Sequence, residues 1–197
     1  MLDRQRGRGV LGPDSAEVLC AHSLAFAPAA GIPPDRAVDL GSGGGVPGLV
    51  LAAGSWPDAE VVLLDSSQRR CTFLELCVAD LGLAPRVRVH WARAEEAGRA
   101  EGLRGSVPVV TARSFGPPAV TAECAAPLLQ VGGVLVVSDP PGGAGGRWDV
   151  PGLNLLGLEL DGHHLIDGFA FSRLRQVRSC PDQYPRRPGR PARRPLF

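Results

Sequence analysis

Five short runs of consecutive apolar, largely β-branched residues, separated by stretches with helical spacing, constrain this chain more than any other feature. They fall at 36–41 (RAVDLG), 60–65 (EVVLLD), 87–91 (VRVHW), 107–113 (VPVVTAR) and 133–138 (GVLVVS). A strand with one wet face alternates apolar and polar residues. These runs read instead as strands buried on both faces, the pattern of a parallel sheet. Residues 47–53, 67–81 and 117–129 fit helices between them. In the second, Phe73, Leu74, Cys77, Val78 and Leu81 recur at helical spacing, Ser66 or Ser67 can cap the start, and Gly82 supplies the stop. Repeated β-α-β units of this kind build an open, doubly wound α/β sheet. The PPGGAGG stretch at 140–146 reads as a loop. Beyond it, 155–166 and 169–177 form an antiparallel hairpin closing the sheet, with Asp161-Gly162 or Asp167-Gly168 as the turn.

At 197 residues the chain fits one domain, expected over 1–182 with a lead to about residue 35, followed by a basic tail at 183–197. The tail carries Arg186, Arg187, Arg190, Arg193 and Arg194 and no acid, whereas the first 182 residues sum to −4. An acidic body with a basic tail predicts a polyanionic partner. All 21 basic side chains are arginine, which removes every lysine-based mechanism, Schiff base and Walker-type phosphate lysine included. Five cysteines without a C-x-x-C pair argue against a disulfide framework or a structural zinc site. No metal-ligand spacing links His22, His90, His163 and His164, so no metal is expected. The apolar stretch at 18–32 behind Arg4, Arg6 and Arg8 imitates a signal peptide, but His22, Ser23 and Pro28 interrupt it and Asp3, Asp14 and Glu17 oppose a positive start. No apolar run is long enough to cross a membrane. The expected compartment is the cytoplasm.

Candidate chemistry sits in DLGSGGGVPG at 39–48. A strand running into clustered glycines and then a helix lets backbone N–H groups approach a ligand closely. Gly43, Gly45 and Gly48 satisfy G-x-G-x-x-G, so a nicotinamide-dependent oxidoreductase is one reading. Asp39 opposes it. A carboxylate beside the loop repels pyrophosphate but suits a ligand carrying ammonium and sulfonium charges, and the D-x-G-x-G-x-G strand end resembles motif I of S-adenosylmethionine (AdoMet) dependent methyltransferases of the seven-stranded, Rossmann-like class. Asp65, 24 residues after Gly41, ends the second strand where a carboxylate can accept both ribose hydroxyls, or cap the following helix.

Taken together, DLGSGGGVPGLVLA, VVLLDSSQRRCTFLE, WARAEE, VVTARSF, PLLQVGG and the closing YPRRPGRPARRPL resemble the ribosomal RNA small subunit methyltransferase G family, also called glucose-inhibited division protein B. With RGVLGP at 8–13 and HSL at 22–24, the resemblance covers nearly the whole chain. It implies methyl transfer from AdoMet to N7 of a guanine in small-subunit ribosomal RNA, free or in an assembling subunit. It also implies cofactor contacts from Gly41, Val46, Ala94, Glu95 and Arg113, and a ribose region at Asp65, Ser66 and Ser67. No catalytic base is expected, because guanine N7 has a lone pair and no proton to lose.

Two departures stand out. Family members usually carry a helical segment before the region aligned with Arg8, where seven residues stand here. After the fifth strand the family commonly has L-K-G, and this chain has Ser138-Asp139-Pro140. Asp139 is expected to repel incoming RNA phosphates. The Asp139-Pro140-Pro141 run matches the motif of amino-group methyltransferases only by coincidence, because that motif comes after strand four. These departures leave an AdoMet-binding RNA-interaction protein without catalysis as the rival to the enzyme.

Overall fold

The computed structural model describes residues 15–31, 33–140, 143 and 146–197. The RGVLGP segment, the arginines at 4–8 and most of the 140–146 loop therefore lie outside the described residues.

Seven strands form one sheet: β1 (Arg36–Leu40), β2 (Glu60–Asp65), β3 (Val87–Trp91), β4 (Val107–Ala112), β5 (Leu129–Ser138), β6 (Leu158–Ile166) and β7 (Phe169–Gln176), in the order β3-β2-β1-β4-β5-β7-β6. The first five pair in parallel. The β6–β7 hairpin closes the sheet antiparallel against β5. Successive side chains of a strand point to opposite faces, and along β1, β2 and β4 both faces are dry. At the sheet edge β3, expected to be buried on both faces, leaves Arg88 and Trp91 exposed. Val62 and Leu64 belong to the apolar cluster on one face, Val61 and Leu63 to the cluster on the other. The unbroken apolar runs result from that double burial.

Helices cover the two faces: α1 (Ala16–Leu24), α2 (Phe26–Ala30), α3 (Gly48–Ala53), α4 (Gln68–Asp80), α5 (Ala94–Ala97), α6 (Pro118–Ala125), α7 (Val150–Leu156) and α8 (Arg190–Arg193). Several expectations need correction. The predicted helix over 117–129 ends at Ala125, because Pro127 has no N–H to continue the ladder, and β5 then begins at Leu129 with Gly132 at φ +87° in its first irregular turn. The predicted strand from 155 starts only at Leu158. Residues 150–156 are helical instead, capped by Asp149, whose Oδ2 accepts from the Gly152 N–H at 2.7 Å, and stopped by Gly157 in the left-handed region. Asp167 and Gly168, at φ +50° and +83°, make the hairpin turn, while Asp161-Gly162 marks a register irregularity in β6.

The basic tail is no loose appendage. Tyr184 is buried, Leu196 and Phe197 pack on the core, and Arg99 and Arg104 donate to main-chain carbonyls between Cys180 and Pro185. Among the described residues, 183–197 pack against the body of the sheet domain. Among the described residues no helix is long and apolar enough to cross a membrane.

Candidate active site

Ligands of open α/β sheets bind outside the carboxyl ends of the strands where the strand order reverses, here between β1 and β4. The glycine loop leaves β1 at that point. Gly41, Gly43 and Gly45 have φ of +73°, +54° and +87°, a region that side-chain-bearing residues adopt only under strain. The loop is tied to β2 by the Gly41 and Ser42 N–H groups, which both donate to the Leu64 carbonyl at 2.8 and 3.0 Å.

Asp39 lies behind this loop rather than facing a ligand. It is 1% exposed; its Oδ1 accepts from Thr111 Oγ1 at 2.8 Å and its Oδ2 from the Gly48 N–H at 3.1 Å. The carboxylate thus joins β1 to β4 and to the start of α3, and it acts on a ligand through the shape of the loop. Burial pushes its pKa up to about 6, against the bonds from Thr111 and Gly48 that favour the ion. Between about pH 4 and 6 the folded chain therefore keeps on Asp39 a proton that the unfolded chain has released. Its contribution to stability is full at low pH and is lost as pH rises through about 6. In urea titrations, the stability of the parent minus that of Asp39→Asn should fall by about 2.5 kcal/mol between pH 4 and 7.5. A constant difference across that window would contradict the assignment.

Asp65, at the end of β2, is 4% exposed and forms the hinge of the site. Its Oδ2 accepts from the Gly43 N–H at 2.9 Å, its Oδ1 from the Ser67 N–H at 2.8 Å, and Arg70 stands 3.6 Å away. The carboxylate holds the start of α4 through Ser67 and, in a role the sequence does not announce, braces the glycine loop through Gly43. Ser67 holds the N-cap position of α4 but makes no side-chain cap bond, so the expected serine cap is absent and Asp65 fixes the Ser67 backbone instead. A carboxylate has about four lone-pair sites, and two backbone donors leave room for hydroxyl donors from a sugar.

Gly41, Asp65, Ser66, Ala94 and Glu95 line one cavity of about 280 Å³, joined by Phe115 and Val120. Glu95 is 5% exposed. Burial would raise its pKa, but N–H bonds from Gly189 and its own backbone, together with Arg93, hold the carboxyl below its usual range. The remaining expected contacts lie elsewhere. Gly43 reaches the site through its bond to Asp65, Gly45 packs toward Leu49 and Leu74, and Val46 is buried against Leu19. Arg113 lines the adjoining cavity, its Nε donating to His22 Nδ1 at 3.3 Å. The His22 ring in turn stacks on Phe169 with centroids 4.7 Å apart.

That second cavity, about 940 Å³, shares Ser114 and Phe115 with the first. Arg147 and His163 also border it, and sequence reasoning assigns neither of them a role. Asp139 is present there as well, but its negative charge is already matched. Its Oδ1 pairs with Arg147 at 3.0 Å, its Oδ2 accepts from Ser172 Oγ at 2.7 Å, and its side chain is 1% exposed. The expected repulsion of RNA phosphates by Asp139 is therefore corrected: the buried ion pair presents Arg147 to the cavity in its place.

The smaller cavity fits AdoMet. A Cβ at Gly41 would stand 2.6 Å from the Phe115 ring, so the absence of a side chain is what lets that ring close against the loop and form a wall of the cavity. Apolar walls from Ala92, Ala94, Phe115 and Val120, with the Asp65 carboxylate at one edge, suit an adenosine. Among the described residues no cluster could hold a metal ion.

The parallel sheet with its antiparallel closing hairpin, the glycine loop and the carboxylate after β2 define an AdoMet-dependent methyltransferase of the Rossmann-like class. The solved structures similar to it include an RNA methyltransferase from Salinibacter ruber in complex with S-adenosyl-L-homocysteine (TM-score 0.59, 20% identity, 87% of this chain and 97% of that one). Another is an AdoMet-dependent O-methyltransferase from Thermotoga maritima (TM-score 0.61, 14% identity, 92% and 72%). The family model of rRNA small subunit methyltransferase G matches residues 20–138. Curated relatives named ribosomal RNA small subunit methyltransferase G include one from Moorella thermoacetica, 35% identical over 84% of this chain and 71% of its own length. One from Acidothermus cellulolyticus is 43% identical over 66% of this chain and 56% of its own length. The chain belongs to the rRNA small subunit methyltransferase G family. The nicotinamide-dependent reading of G-x-G-x-x-G is overturned by this membership.

Proposed function

We propose that the chain transfers the methyl group of AdoMet to N7 of a guanine in small-subunit ribosomal RNA, free or in an assembling subunit, in the cytoplasm. The observation that carries this reading is the meeting of the two cavities at Ser114 and Phe115, with a nucleoside-shaped slot on one side and an arginine-bordered cavity on the other. AdoMet, when bound, supplies an electrophilic methyl on a sulfonium. The protein's part is placement. Guanine N7 attacks in line through its own lone pair, so alignment and exclusion of water supply the acceleration and no side chain has to remove a proton. Phe115 and Phe169 offer aromatic faces to a base, and Arg113, oriented by the stacked His22, offers a cation to the base or its phosphate. The test is transfer of labelled methyl from AdoMet to undermethylated small-subunit RNA. Equal labelling of large-subunit RNA would overturn the substrate assignment.

Of the five tail arginines, Arg186 is withdrawn from the RNA-facing set. It is a fork on Glu123, with Nε to Oε1 at 2.8 Å and Nη2 to Oε2 at 2.6 Å. Arg187, Arg190, Arg193 and Arg194 are exposed and supply the proposed RNA contacts. Each single-strand phosphate neutralised adds roughly 0.7 to the logarithmic salt slope, so replacing all four with glutamine should lower the slope by up to about 3. Substitution is the right probe, since deletion would also remove the buried Tyr184. An unchanged slope would place the RNA surface elsewhere.

A further inference from the structure

Glu123 is a fully buried carboxylate that the methyl-transfer reading does not use. It lies on α6, the helix that also gives Val120 and Cys124 to the cofactor cavity. Both of its oxygens are engaged by Arg186, which donates from its backbone N at 2.9 Å as well as from its guanidinium. An unpaired charge at this depth is strongly unfavourable, so the pair fixes where residue 186 sits. Three of the next six residues turn inward. Gly189, at φ +78°, turns its N–H onto Glu95 Oε1 at 2.7 Å; Pro191 is buried; Ala192 lines the cofactor cavity. Glu95 thus receives a donor from the tail, and the cavity receives one of its lining residues from it.

We propose that residues 186–192 form a strap that is a working wall of the cofactor pocket, and that Glu123 is the positioning residue that holds it there through Arg186. The inference rests on the AdoMet reading of that cavity. It separates the tail into an inward part that shapes the pocket and outward arginines that meet RNA. Loss of the strap's anchor leaves Glu95 without the Gly189 donor and opens the slot beside Ala192.

The test is calorimetric titration of the full chain with S-adenosylhomocysteine, alongside the KM for AdoMet and kcat. The parent chain is the reference, and a folded parent that binds no S-adenosylhomocysteine overturns the cofactor reading itself. With binding established, Glu123→Gln should raise Kd and the AdoMet KM about tenfold, as expected for losing a charge-assisted anchor, with the loss of rate largely recovered at saturating cofactor. A purely structural role would instead lower kcat through a smaller active fraction and leave Kd alone, which overturns the proposal. Arg186→Lys keeps the charge but not the planar fork, so it should fall between parent and Glu123→Gln. Should Glu123→Gln not fold, a parent-like Kd in Arg186→Lys overturns the positioning role. Ala192→Trp adds bulk at an exposed strap residue and should weaken S-adenosylhomocysteine about tenfold in a folded chain. A Kd within about twofold of the parent in Ala192→Trp overturns the wall.

Discussion

Asp65→Ala should weaken S-adenosylhomocysteine binding by about 10- to 150-fold, the range expected from losing hydrogen bonds to an anionic acceptor worth roughly 1.5–3 kcal/mol. The effect has two sources. The variant removes the acceptor facing the sugar, and it releases the Gly43 N–H that holds the glycine loop in shape. Asp65→Asn should bind little better, because its amide offers one acceptor oxygen and turns N–H donors toward either the Gly43 or the Ser67 N–H. Calorimetry on variants with parent-like circular dichroism checks both. An unchanged affinity in folded Asp65→Ala would reduce Asp65 to a helix cap.

Gly48→Ala should be the most damaging single methyl in the chain's glycine loop. A Cβ there would stand 2.4 Å from the Asp39 Cβ and 2.6 Å from its Oδ2, and Asp39 cannot retreat because Thr111 holds its other oxygen. Overpacking of a fixed site costs about 1–3 kcal/mol, with the Gly48-to-Asp39 bond lost in addition. In a domain of this size that should lower Tm by roughly 5–10 °C. It should also weaken cofactor binding, since the loop and the start of α3 shift together. The double variant Gly48→Ala with Asp39→Gly removes every colliding atom and should be less destabilised than the two single effects summed. Strict additivity would show that contact with Asp39 is not the cause.

Much of this site is legible in the sequence because its constraints are local. A carboxylate two residues before a cluster of glycines, and another closing the next strand, mark backbone positions that the chain's own geometry brings together at the sheet edge. The sequence places Asp39 correctly in the sheet but does not reveal its direction. Alternation along a strand buried on both faces does not say whether a polar residue meets ligand or core. The helix at 150–156 escapes a sequence reading although Asp149, Pro151 and Gly157 are ordinary start and stop signals, because Leu155 and Leu156 resemble the apolar run of β6 beyond them. Glu123 and Arg186 are illegible for a different reason. They are 63 residues apart, and only the tertiary fold shows that one buried acid captures the first tail arginine. The same holds for Asp139, whose charge reads as exposed until Arg147 and Ser172 are seen against it.

The most direct measurement of the chemistry is methyl transfer to two small-subunit RNA substrates identical in sequence, one containing guanosine and the other 7-deazaguanosine. The deaza base keeps its ring shape and Watson–Crick edge but replaces N7 with carbon, so it lacks the lone pair that attacks the sulfonium methyl. With both RNAs bound equally and S-adenosylhomocysteine affinity established, label should enter the guanosine RNA and be absent from the deaza RNA. Equal labelling of the two RNAs would contradict transfer to N7. No labelling of either, despite tight binding of cofactor and RNA, would leave the chain a binder of both without catalysis.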